Sequence, residues 1–77
     1  MGNEALVVAF DSTASALHFA SCAQEAGLPG RLIPVPRSLS AGCGIAWRDL
    51  PENENQAKEL VEQEAIDDAK FVVMPLR

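Results

Sequence analysis

Long apolar runs are missing from this sequence. The longest, Ala5 to Phe10, is six residues, far short of the roughly 20 that a membrane-spanning helix needs. The opening Met1-Gly2-Asn3-Glu4 carries no basic stretch ahead of a long apolar segment, so no secretory leader is expected, and the cytoplasm is the expected location. Positive charge is scarce as well. Six Lys and Arg stand against 11 Asp and Glu, a net charge of −5. That balance argues against nucleic acid, whose phosphates are held by clustered cations that displace counterions. The sequence also lacks a Walker loop, a G-x-G-x-x-G turn and a paired Cys-x-x-Cys, and its single histidine supports no Ser-His-Asp set. It does not read as a self-sufficient enzyme, and no cofactor is expected.

What is present describes one small globular domain, residues 1–77, with a thin core, because short chains bury a smaller share of their surface than long ones. Ala5 to Phe10 is rich in β-formers and reads as a strand covered on both faces. Asp11-Ser12-Thr13 offers oxygens for an N-cap. The segment Ala14 to Ala26 then places Ala16, Ala20 and Ala23 at helical spacing, with Leu17 and Phe19 beside them, before Gly27 stops the helix. Arg31 to Val35 is a second strand, and Pro34 and Pro36, which lack an N–H, assign it to a sheet edge. Ser38 to Gly44 is loop, and Ile45 to Arg48 is a short third strand. From Glu52 or Asn53 the pattern turns helical, with Ala57, Leu60, Val61 and Ala65 on one face, until Asp67-Asp68 breaks it. Ala69 to Met74 is a fourth strand. The order βαββαβ predicts an α+β, ferredoxin-like fold: a four-stranded antiparallel sheet with two helices on one face.

In that architecture the end of strand one, the head of helix one and the loop between strands two and three share one end of the sheet. The loop holds Cys43 between Gly42 and Gly44, and Arg31, Arg37 and Arg48 surround it in sequence, whereas seven acids crowd the second half of the chain. Those acids read as a solvated helix face or as a surface for a basic partner. Cys22 lies nine residues beyond Thr13, ~13 Å down the helix at ~1.5 Å per residue, whereas a disulfide wants Cα atoms within about 7 Å. A Cys22–Cys43 bridge within one chain is therefore not expected. His18 and Cys22 stand at i and i+4, but two ligands are too few for a four-coordinate zinc site, so no metal site is expected. Trp47 is expected to pack in the core, to shield the loop or to form part of a contact surface.

Phe10, Ser12-Thr13, Ala16-Leu17, Ala20, Gly27, the run Leu32-Ile33-Pro34-Val35-Pro36-Arg37, then Ser40, Cys43-Gly44 and Arg48 together resemble domain-of-unknown-function family 3343, described as selenium or sulfur carrier-like proteins. The resemblance covers nearly the whole chain, and Pro-x-Pro-Arg followed by a Ser-containing loop and Cys-Gly is its most specific part. Gly42 stands where a polar residue is usual, Trp47 where an aliphatic is usual, and Ala23 where Leu is usual. The resemblance implies a carrier that holds a persulfide or perselenide on Cys43 and exchanges it with donor and acceptor proteins, as a monomer or homodimer. In that reading Arg37, Ser38 and Ser40 contact the anion, Gly42 and Gly44 keep the thiol approachable, and Ser12 and Thr13 cap the helix whose N-terminus lowers the thiol pKa. Three alternatives stand beside it. The chain is a non-catalytic ferredoxin-like ligand- or protein-binding module with the proline-rich edge strand and Trp47 as the contact and Cys43 incidental, a small buried residue at the start of strand three; Arg37 is an ordinary edge charge, with the serines in local turns; or Cys43 is a redox sensor.

Overall fold

The computed structural model describes residues 4–37, 39, 42 and 44–75. Its elements run β1 (Glu4–Ala9), α1 (Thr13–Glu25), β2 (Arg31–Pro34), β3 (Ile45–Asp49), a 3₁₀ turn (Pro51–Asn53), α2 (Glu54–Gln63) and β4 (Lys70–Pro75). The sheet is antiparallel in the order β2-β3-β1-β4, the ferredoxin-like arrangement that the sequence predicts. β2, the strand with prolines, lies at an edge.

Alternation along β1 sends Leu6 and Val8 to one face, across from Asp49, Trp47 and Phe71. On that face they pack with Ala16, Phe19, Ala20 and Ala23 of α1 and Ala57 of α2, so both helices cover the same side. The α1 stripe follows i, i+3, i+4, i+7. Leu17 falls off it and is 53% exposed, so it does not share the buried face with the alanines. Small alanines let α1 lie low on the sheet, and Phe19 fills the space between them. Its ring centroid is 5.4 Å from that of Phe10 and 5.7 Å from that of Trp47, the latter pair edge-to-face.

Trp47 is fully buried, so it packs in the core and is not the contact surface that the sequence left open, and its indole N–H donates to Asp49 Oδ2 at 2.9 Å. Asp49 is the one buried charged residue among those described. Its other oxygen accepts from the Leu50 N–H at 2.7 Å and from Asn53 Nδ2 at 2.8 Å. One carboxylate therefore serves the core, the end of β3 and the 3₁₀ turn that leads into α2.

Both helices end in the same way. At the end of α1, Gly27 N–H bonds to Gln24 O and Leu28 N–H to Ala23 O, with Gly27 at φ +85° and Leu28 buried. At the end of α2, Ala65 N–H bonds to Glu62 O and Ile66 N–H to Val61 O, with Ile66 buried. Here Ala65 takes the left-handed position, at φ +54°. α2 therefore stops before Asp67-Asp68, and Ala65 is exposed rather than part of the buried helical face.

A side chain in the left-handed region costs about 1–2 kcal/mol, part of which a glycine loses again through its freer unfolded chain. Ala65→Gly is therefore expected to stabilise the protein by about 0.5–1 kcal/mol, read as a higher urea midpoint at an unchanged m-value. Asp49→Ala leaves the buried indole N–H without an acceptor and is expected to cost about 3 kcal/mol in the same assay. Asp49→Asn should cost less, because an amide oxygen still accepts from Leu50 and Asn53.

Candidate functional site

The registers Ala9↔Ala46, Ala9↔Lys70 and Pro34↔Ile45 bring the ends of β1 and β2 and the starts of β3 and β4 to one end of the sheet. The α1 N-terminus joins them there. Ser12 is the N-cap: its Oγ accepts the Ser15 N–H at 3.2 Å and donates to Ser15 Oγ at 2.9 Å. Its capping role is thus occupied locally. Thr13 is the first helical residue and is exposed, and no acidic residue lies in the first turn.

The β2–β3 loop returns to this end. Val35 N–H bonds to Gly44 O at 3.0 Å, continuing the ladder past the strands, and Leu39 N–H bonds to Pro36 O at 3.0 Å, which places exposed Arg37 in a tight turn. Among the described residues Arg37 has no ion-pair partner. The two loop glycines have different reasons to be glycine. A Cβ on Gly42 would come within 2.7 Å of the Asp11 carbonyl oxygen, so the loop backbone rests directly on the segment that opens α1. Gly44 has φ +78° with open space around it. Cys43, Ser38 and Ser40 lie outside the described residues.

Two features of this end were hidden in the sequence. Asp68 reaches it from the α2–β4 connection and accepts the Asp11 N–H at 3.1 Å, so a carboxylate stands at the entry to α1. Arg31 and Arg48, adjacent to the loop in the chain, pair with each other at the opposite end of β2 and β3. They cannot be loop cations as their sequence positions suggested. Instead they line a cavity of about 360 Å³ with Glu4, Ala5, Pro29 and Leu50, away from the Cys43 loop.

Cys22 and His18 lie on α1, and the fold brings Glu64, the C-cap of α2, against them. His18 Nε2 and Glu64 Oε1 are 2.8 Å apart, with both side chains partly exposed. Burial pushes the Cys22 thiol above its ordinary range; the Glu64 and Glu25 carboxylates and a thiol hydrogen bond to Glu64 act in the same direction. At neutral pH this thiol is therefore protonated and a poor nucleophile.

No helix among the described residues is long and apolar enough to cross a membrane. The family model described as "Putative Se/S carrier protein-like" matches residues 5–73, and the chain belongs to that family. Neither a curated protein nor a solved structure matches it.

With its pKa raised, Cys22 has less thiolate at pH 7 than a free cysteine, so its alkylation should be slow and should accelerate in Glu64→Gln, which removes the repelling charge and leaves only a weaker, neutral amide acceptor. Iodoacetamide labelling against pH, followed on the Cys22 peptide, checks this. A midpoint at the unperturbed ~8.5 in the wild type would contradict it.

Proposed function

We propose that this protein is a sulfur or selenium carrier that holds the transferred atom on Cys43, and that its family is the domain of unknown function numbered 3343. Family membership across residues 5–73 is the observation that carries the reading. The choice between the two thiols is supported by their surroundings. Burial, with the Glu64 and Glu25 carboxylates acting in the same direction, keeps Cys22 protonated. Cys43 is covalently flanked by two exposed glycines, the first of which rests on the entry to α1, whose opening turn holds no acid. Unpaired N–H groups and the helix dipole at such a terminus favour thiolate, as does Arg37 on the same loop. Asp68 accepts the Asp11 N–H at the entry to α1, so this end of the sheet carries charges of both signs.

In the transfer step the Cys43 thiolate attacks the outer sulfur of a donor persulfide. The new S–S bond forms as the donor's S–S bond breaks, the donor sulfur leaves as thiolate, and Cys43 becomes Cys-S-SH with no external oxidant or metal. A donor perselenide gives Cys-S-SeH by the same exchange. An acceptor thiolate then attacks the outer atom and regenerates Cys43. Donor and acceptor are cytoplasmic proteins, and the carrier acts as a monomer or homodimer.

A second reading is favoured by the cavity at the far end of the sheet. Arg31 and Arg48 lie side by side there without an ion pair among the described residues, as a non-catalytic module for a small anionic ligand would have them. Incubation with a small-molecule persulfide, followed by intact mass, separates the two. The carrier reading expects one added sulfur atom on wild type and on Cys22→Ser, and none on Cys43→Ser. An adduct that survives Cys43→Ser would remove Cys43 as the site, and the absence of any adduct would favour the binding module.

A further inference from the structure

His18, Cys22 and Glu64 each offer one ligand atom, and the three atoms lie within 4.8 Å of one another. His18 and Cys22 are held one helical turn apart on α1. Glu64 comes from the other helix, 46 residues beyond His18, fixed at the α2 C-cap by the hydrogen bonds that end that helix. We propose that these three side chains form a site for a zinc-class divalent ion, with His18 Nε2, Cys22 Sγ and Glu64 Oε1 as ligands and a fourth position open to water or an incoming group.

The donor set matches the metal. Zinc takes imidazole nitrogen, thiolate sulfur and carboxylate oxygen at about 2.0–2.3 Å, so tetrahedral ligand atoms stand roughly 3.3–3.8 Å apart. The His18–Glu64 separation of 2.8 Å lies just below that range, and the 4.8 Å limit on the whole set lies just above it. Small rotations of the exposed His18 and Glu64 side chains open the first and close the others. Magnesium and calcium, which prefer all-oxygen shells, are disfavoured by the thiol and the imidazole.

The local field also favours a cation. Glu25 adds a second carboxylate near Cys22. Glu64 stands at the carbonyl-bearing end of α2, which carries partial negative charge, and neither helix has a basic residue in its last turn. Ion binding displaces the Cys22 thiol proton and replaces the His18–Glu64 contact with two metal bonds. The site is independent of Cys43 and of the carrier reading.

Co²⁺ titration of the full chain carrying Cys43→Ser, which leaves Cys22 as the single thiol, tests the proposal. The expected result is a near-ultraviolet thiolate-to-cobalt charge-transfer band that saturates at one ion per chain, with tetrahedral visible bands, and that is displaced by Zn²⁺. Adding His18→Ala or Glu64→Gln should weaken binding by at least about tenfold, and adding Cys22→Ser should abolish the charge-transfer band while the far-ultraviolet circular dichroism stays unchanged. Wild type compared with Cys22→Ser alone gives the same readout if Cys43→Ser does not fold. Absence of the charge-transfer band, or an affinity unchanged by both His18→Ala and Glu64→Gln, overturns the proposal.

Discussion

The hydrogen bond between the Trp47 indole and the Asp49 carboxylate is the constraint on which the rest of the structure depends. The largest side chain of a thin core has one polar atom, and burying it without an acceptor costs more than a typical hydrogen bond returns. Asp49, two residues on along the same strand and on the same face, supplies that acceptor. A buried carboxylate in turn needs further donors, and it finds them in Leu50 N–H and Asn53. Those bonds fix how the chain leaves β3 and enters α2. The register of α2, and with it the position at which Glu64 reaches α1, thus follows from how one tryptophan is satisfied.

The sequence discloses the elements because each carries its own local pattern: six apolar residues in β1, alanines at helical spacing in α1, prolines in β2. Departures arise where distant contacts decide. Leu17 sits beside the buried alanines in the chain, yet it lies off the i, i+3, i+4, i+7 stripe that Phe19 completes. Ala65 fits a helical face by spacing, but the buried Ile66 that follows needs the chain to reverse, and the reversal forces Ala65 to the left-handed conformation that Gly27 adopts without strain at the matching point of α1. The two halves of the fold share this device although their sequences show no repeat. The same fold solution is reached with a glycine once and at a steric cost once.

At the candidate sites the sequence places residues correctly along the chain but cannot assign neighbours across it. The gathering of loop and helix entry at one sheet end follows from topology, and the contact of Gly42 with Asp11 agrees with it. The fate of the three arginines does not follow. Antiparallel pairing of β2 with β3 turns Arg31 and Arg48, separated by the whole loop in sequence, into neighbours at the other end of the sheet. The acidic run is also more than a solvated face: Glu64 meets His18, and Asp68 caps the Asp11 N–H. Each of these contacts joins residues more than forty positions apart, beyond the reach of any periodicity.

These long-range contacts set the electrostatics around Cys22. Cys22 lies in the last turn of α1, near the negative end of the helix dipole, and it faces Glu64 and Glu25. Negative charge there suppresses thiolate and attracts metal ions, so nucleophilic chemistry and cation binding are alternatives at that position rather than partners. The loop end reverses the balance in part, since it adds a helix N-terminus and Arg37 to its own carboxylates, Asp11 and Asp68. A thiol on that loop gains reactivity only to the extent that the amides and the guanidinium lie nearer to it than the acids do. Distance decides because an exposed charge acts over less than a Debye length, about 8 Å at physiological salt, and the turn at Pro36 sets where Arg37 stands on that loop.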